Sequence, residues 1–227
     1  MRSCATNLNS EMSDKELASL LEVIKSHDLK ETHLEIGTAA GGTLCSILSL
    51  YCNTLKTKPP SFIVVDPLTY FPNQLEVIQE NLKRHKIDRQ DLDFIKSKSS
   101  AALKNFRGQP SRLDFILIDG SHKMKHVTSD FRWAAFLNCG GILAIHDYSE
   151  KFPGVFRSAN RFLRKNSNYK VISHSQSLLI LQKKEESKTE EVSSIDILMA
   201  TVNGFGLQMM GSLRKRFSRS FGKPISL

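Results

Sequence analysis

Between residues 32 and 147 short apolar runs of strand length alternate with amphipathic segments of helix length. The runs are "THLEI" (32–36), "SFIVVD" (61–66), "LDFIKS" (92–97), "LDFILID" (113–119) and "GILAIHD" (141–147). The more apolar of them are continuous and do not alternate with polar residues, so both faces of their sheet must be covered. Strand–helix repetition of this kind predicts a parallel sheet with a helix layer on each side. Helices are expected over 13–27, 43–55, 73–85, 99–106, 125–138 and 154–166. The first opens on Ser13 and Glu16 in capping-box spacing. Two final runs, "YKVISHS" and "SLLILQKK", have no helix between them and predict an antiparallel hairpin at one sheet edge. The expectation is thus a seven-stranded, mostly parallel α/β sheet.

At 227 residues the chain suits one domain with an appendage. Residues 1–183 are read as the domain, the polar stretch 184–194 as a charged linker and 195–227 as an amphipathic, basic tail. Val202, Phe205, Met209, Leu213, Phe217 and Phe221 recur at three- or four-residue steps, with Arg214, Lys215, Arg216 and Arg219 among the last. That pattern fits a helix on an anionic membrane surface, a helix docked on its own domain or a partner subunit, or a disordered tail. Residues 1–30 lack a secretory apolar run, so a cytoplasmic protein is expected, peripheral at a membrane surface if the tail docks there. The net charge is +9, but residues 184–227 account for only +2 of it, and no nucleic-acid-binding motif is present. A basic solvated surface is the expected meaning, with no nucleic-acid partner. Cys45 and Cys52 stand seven residues apart, one helical face, and are read as small core residues.

Chemistry concentrates at two places. "LEIGTAAGGT" (34–43) is a glycine-rich turn between the first strand and the first crossover helix, where N–H groups and close backbone approach favour a nucleotide-like ligand. Asp66 ends the second strand and can accept both hydroxyls of a ribose. The G-x-x-x-G-G spacing is not the dinucleotide fingerprint, and no tyrosine has a lysine four residues on, which argues against hydride transfer. At the second place, "FILIDGSH" and "GGILAIHDY" end two strands in Asp119 and Asp147. Side-by-side carboxylates repel unless a cation joins them or one takes a proton. A hard divalent ion such as Mg²⁺ answers that need, and His122 has the pKa of a general base. Strand alternation predicts that His146 points to the opposite face, as a packed histidine. Asp130 is read as a solvated helix acid or the partner of a basic neighbour.

These motifs, in order over about residues 30–183, resemble class I S-adenosylmethionine-dependent methyltransferases, and "FILIDGSH", "CGGILAIHDY" and "FPGV" resemble their small-molecule O-methyltransferase branch. The resemblance implies a Rossmann-like fold and S-adenosylmethionine as cofactor. Glu35, Gly37 and Thr43 would lie near its methionyl end, Asp66 at the ribose and Ser99 near the adenine, with Asp119 bordering it. Ser99 has a second reading, as the N-cap of the next helix. Asp119 and Asp147 would be the metal ligands, His122 the catalytic base, and the acceptor a hydroxyl of a small molecule or sugar. The catechol-type pattern has asparagine after the second aspartate, where this chain has Tyr148. An RNA methyltransferase and a non-catalytic scaffold are the alternatives.

Overall fold

The computed structural model describes residues 10–87, 91–106, 112–185 and 189–221, with backbone only for 208 and 210–221. Seven strands form one sheet: β1 (Thr32–Ile36), β2 (Phe62–Asp66), β3 (Leu92–Lys96), β4 (Leu113–Ile118), β5 (Leu137–Ile145), β6 (Tyr169–Ser175) and β7 (Leu178–Lys183). Their spatial order is β3-β2-β1-β4-β5-β7-β6. β1 to β5 pair in parallel, while β7 runs antiparallel to both β5 and β6, the expected edge hairpin. Chain order reverses between β1 and β4, which opens a crevice at the carboxyl ends of those strands.

Alternation within each strand divides the core in two. Leu34, Ile116, Ile118, Leu143 and Ile145 face one helix layer, with Trp133 and Phe131 among their neighbours. Phe62, Val64, Phe115, Leu117 and Ile142 face the other, with Leu20, Leu44 and Ile78. Every residue of β4 is buried, as the apolar run Phe115–Ile118 requires, and the buried Asp114 accepts from the Lys30 and Glu31 N–H groups. The helices are α1 (Asp14–Ser26), α2 (Gly42–Ser49), α3 (Gln74–Arg84), α4 (Ser99–Phe106), α5 (Met124–Asp130), α6 (Pro153–Lys165) and α7 (Ser194–Phe221). The capping box forms: the Ser13 hydroxyl accepts from Glu16 N, and Glu16 accepts from Ser13 N at 2.9 Å.

Three local departures have identifiable causes. After Ser49 the second helix widens into a π-helical stretch, Leu50–Leu55, and the change of pitch breaks the seven-residue alignment of the cysteines. Cys45 is buried as expected, but Cys52 is exposed. The helix expected over 125–138 tightens into a 3₁₀ segment at Phe131–Phe136, and β5 begins at Leu137. Thr189, in the polar stretch after β7, is buried against the Tyr169 hydroxyl at 3.0 Å. α7 is capped by Ser193 and anchored by Asp196, which pairs with Arg161 and Lys165 of α6. The side chains of Leu213, Arg214, Lys215, Arg216, Phe217, Arg219 and Phe221 lie outside the described residues.

His33, on β1, is a buried histidine whose protonation the core opposes. Its Nδ1 donates to the Glu31 carbonyl at 3.0 Å, so Nε2 accepts from the Tyr51 hydroxyl at 2.8 Å. Burial holds its pKa down to about 4. A folded value below the unfolded one, roughly 6.5, gives stability that is complete above pH 6.5 and lost as pH falls toward 4. His33→Gln is therefore less stable than wild type at pH 7.5, and the deficit shrinks by about 2 kcal/mol by pH 4.5 in urea unfolding. A deficit independent of pH would show that the fold does not oppose protonation of this imidazole.

Candidate active site

The register of the central strands brings three chain segments level at the carboxyl edge. Ile36 pairs with Ile118, and Ile118 with Ile145. The ladder then runs one residue further, with Asp119 N donating to Ile36 O at 2.9 Å and His146 N to Ile118 O at 3.1 Å. Gly37 has φ +84°, and a Cβ there would sit 2.4 Å from Gly120 Cα and 2.5 Å from Asp119 O. The glycine turn and the acidic turn after β4 thus touch backbone to backbone, which only glycine permits.

Asp66 closes the glycine-turn side of the crevice. One of its oxygens accepts from Thr38 N at 3.0 Å and the other from Leu68 N at 2.6 Å, fixing the carboxylate against the glycine turn. Two residues that the sequence motifs do not single out hold that turn from α3. Gln74 donates to Ala39 O at 3.0 Å and accepts from Tyr70 N, and Asn81 donates to Ala40 O at 2.8 Å. Both are buried polar residues in an otherwise amphipathic helix, the one signal the sequence offers for them. Glu35 lies beneath, fully buried, and accepts from the Thr38 hydroxyl at 3.2 Å. Burial, with Asp119 and Asp66 nearby, holds its carboxyl well above the usual range.

Asp119 and Asp147 stand amid two imidazoles. Asp119 Oδ1 accepts from His146 Nδ1 at 2.8 Å, and Asp147 Oδ2 lies 2.6 Å from His122 Nε2. His146 is a packed, hydrogen-bonded histidine, and its ring lies on the α1 side beside Glu16, the side that alternation from Ala144 requires. It still reaches both carboxylates, because Asp119 stands level with it on the neighbouring strand end and the left-handed φ of +57° at Asp147 turns the chain, with Asp147 Oδ2 3.8 Å from His146 Nδ1. Burial alone would discharge His146. The hydrogen bond to Asp119, and the charges of Asp119, Asp147 and Glu16, instead raise its pKa to about 9. Asp119 itself is pushed up by burial, against that hydrogen bond. His122 is raised chiefly by its bond to Asp147 and rests against the Phe152 ring, centroids 4.4 Å apart.

Glu16, known from sequence only as a helix cap, does more. Its Oε1 accepts from the Ser177 N–H and hydroxyl at 2.8 and 2.6 Å, while its Oε2 lies 3.7 Å from His146 Nε2. The cap thereby becomes a counter-ion of the strand-end cluster. Tyr148 donates to Asn160 Oδ1 at 3.1 Å and packs against Phe156 and His174, so its side chain contributes nothing to the carboxylate pair.

A cleft of about 930 Å³ opens above these strand ends. Gly37, Asp66, Ser99, Asp119 and His122 all line it. Of the other expected site residues, Glu35 lies under its floor, Asp147 is joined to it through His122, and Thr43 faces Ser10 at 2.6 Å on the first turn of α2. Ser99 is not the N-cap of α4, since Lys98 O accepts from Ala101 N and Ala102 N. The Ser99 hydroxyl accepts from Trp133 Nε1 at 2.9 Å and bonds to Asp130. Asp130 is not a solvated acid either: it lines the cleft, is 5% exposed, and burial lifts its pKa to about 7. Val127, Asp130, Phe131 and Ala134 share a helical face, and that spacing places the acid inward. Lys98, Lys104, Lys123 and Lys125 ring the mouth, and no described residue forms a salt bridge with them.

The donor set fits a divalent cation. Asp119, His146 and Asp147 each offer one ligand atom, all within 4.8 Å of one another. Hard carboxylate oxygens with one imidazole nitrogen suit Mn²⁺, Fe²⁺ or Zn²⁺ as well as Mg²⁺.

Comparison with known proteins identifies the family and the fold. A family model described as "Methyltransferase domain" matches residues 34–148, from the glycine-turn strand to the tyrosine after Asp147. None of the curated proteins matches the chain. Among solved structures, the O-methyltransferase NovP superposes with a TM-score of 0.64 at 13% identity, covering 78% of this chain and 84% of that one. The calicheamicin methyltransferase CalS11 gives 0.61 at 13% identity, over 75% and 79%. An O-methyltransferase from Bacillus cereus in complex with SAH gives 0.59 at 14% identity, over 80% and 86%. At these identities the likeness is one of fold, whereas the family match spans both motifs that build the cleft. The chain belongs to the methyltransferase domain family and is an S-adenosylmethionine-dependent methyltransferase.

Proposed function

We propose that the protein transfers a methyl group to a hydroxyl of a small molecule or sugar, with Asp119 and Asp147 available to a divalent cation and His122 as the base. The observation that carries this reading is one cleft joining the glycine turn and Asp66 to the Asp119–Asp147–His122 cluster. Its volume, about 930 Å³, accommodates a cofactor and an acceptor together. The acceptor oxygen attacks the sulfonium methyl carbon, the carbon–sulfur bond breaks, and the thioether S-adenosylhomocysteine leaves. The acceptor proton passes to His122, where Asp147 balances the imidazolium at 2.6 Å. A cation held by Asp119 and Asp147 would lower the pKa of the acceptor hydroxyl. Positioning supplies the rest, since a sulfonium methyl needs no electrophilic activation.

The four lysines at the mouth favour an acceptor that carries phosphate or carboxylate. They equally support a second reading, methyl transfer to RNA, whose binding would fall steeply with salt. Calorimetric titration of S-adenosylhomocysteine, followed by transfer assays with sugar nucleotides, catechols and RNA in Mg²⁺, in Mn²⁺ and in EDTA, separates these readings. His122→Ala is expected to lower kcat by about a hundredfold or more and to leave S-adenosylhomocysteine affinity within about twofold. An unchanged kcat would remove His122 from the reaction. Failure to bind S-adenosylhomocysteine would overturn the cofactor site placed here.

A further inference from the structure

Among the described residues, the outer face of α7 has no partner. Its inner face is accounted for: Asp196 and Ala200 are buried, Ile197 lines the cleft and Gly204 lies over Met124 of α5. On the outer face Ile195, Leu198, Met199, Val202, Phe205 and Met209 are 46–70% exposed. At roughly 100° per residue these six fall within an arc of about 120°, a single stripe, rather than being scattered. Elsewhere among the described residues only Tyr70 and Val171 are large, apolar and comparably exposed, so the apolar surface of the molecule is gathered here. Water does not stabilise such a stripe, and contiguous patches of this kind mark contact sites.

The charge pattern selects the occupant. From Ile197 to Met209 the helix sequence contains no charged residue. The stretch from Ile197 to Leu227 contains five basic residues, Arg214, Lys215, Arg216, Arg219 and Lys223, and no acid. An apolar stripe running on into an acid-free basic segment complements a surface that is apolar below and anionic above, which is a bilayer with acidic headgroups. No helix among the described residues is long and apolar enough to cross a membrane, so α7 would lie in the interface plane. We propose that α7 docks the enzyme on anionic phospholipid surfaces through Leu198, Val202, Phe205 and their stripe. Because Ile197 lines the cleft, the helix that meets the lipid is also one wall of the active site. Docking is independent of the acceptor assigned above.

The test is co-sedimentation of the full chain with vesicles of phosphatidylcholine alone and of phosphatidylcholine with phosphatidylglycerol. Binding is expected to the mixed vesicles, at least about tenfold tighter than to the neutral ones, and to weaken with salt. Val202→Glu with Phe205→Glu should weaken it at least about tenfold. Arg214→Ser, Lys215→Ser and Arg216→Ser together should remove the preference for phosphatidylglycerol. Thermal melting and S-adenosylhomocysteine affinity, measured on each variant, should match wild type and so separate lost docking from lost folding or lost cofactor binding. Absence of binding to either vesicle overturns the proposal, as does binding that both sets of substitutions leave unchanged. Light scattering that finds a dimer which Val202→Glu with Phe205→Glu dissociates, without vesicle binding, would assign the stripe to a second copy instead.

Discussion

Gly37→Ala is expected to abolish S-adenosylhomocysteine binding and to destabilise the protein by about 3 kcal/mol or more. Two costs combine. A left-handed φ of +84° burdens any residue with a Cβ by roughly 1–2 kcal/mol. The new methyl also has no room, because Gly120 Cα and Asp119 O would lie 2.4 and 2.5 Å away, and both are backbone. Nothing there can rotate aside, so the ends of β1 and β4 must separate, which overpacking data put at roughly 1–3 kcal/mol. Separation moves the glycine turn and Asp119 apart, and with them the two halves of the cleft. Gly140→Ala is the control. Its φ is +81°, but a Cβ there meets nothing within 4 Å, so it should cost about 1 kcal/mol and leave binding intact. Urea unfolding and calorimetry on both variants make the comparison. Equal losses would mean that backbone conformation, not the contact with Gly120, makes position 37 special.

Asp119→Asn should lower kcat roughly a hundred- to a thousandfold while changing S-adenosylhomocysteine affinity far less. The substitution keeps the shape and a hydrogen-bond acceptor for His146 but removes one of the two converging charges, whether a cation or imidazolium balances them. It also has a signature apart from activity. In the wild type the raised pKa of His146, about 9 against roughly 6.5 unfolded, contributes stability that is complete below pH 6.5. That contribution is lost as pH rises through about 9. Without Asp119 only Asp147 and Glu16 remain near the imidazole, so the decline in melting temperature between pH 6.5 and 9 should become shallower. A decline of unchanged steepness would show that His146 is not charged by Asp119.

Much of the scaffold was legible because its signals are local. A short apolar run such as "FILI", set between helix-length segments, reads as a strand covered on both faces, and β4 is buried throughout. Ser13 and Glu16 announce a helix start by their spacing, and the helix starts there. Asp119 and Asp147 were readable as neighbours because each ends an apolar run in a chain whose strands alternate with helices. What failed was the extension of a local period past its end. Cys52 is assigned a face by an α-helical period that stops at Ser49, where the π-helical stretch begins.

Asp130 shows the other kind of loss. Its spacing with Val127, Phe131 and Ala134 marks it as inward, but inward acids are uncommon, and residue type argued for solvent. Only the packed structure supplies the Ser99 hydroxyl that satisfies it and the burial that lifts it toward a neutral form. Gln74, Asn81 and Glu16 are alike in this, each a helix residue whose partner lies on another segment, up to 161 positions away. By itself the sequence determined the order of elements, the glycine turn and which strands end in acids, since those depend on neighbours along the chain. Only the tertiary structure decided which groups share a proton or a charge. Electrostatic coupling falls with distance through space and rises with burial, and neither quantity is written in chain order.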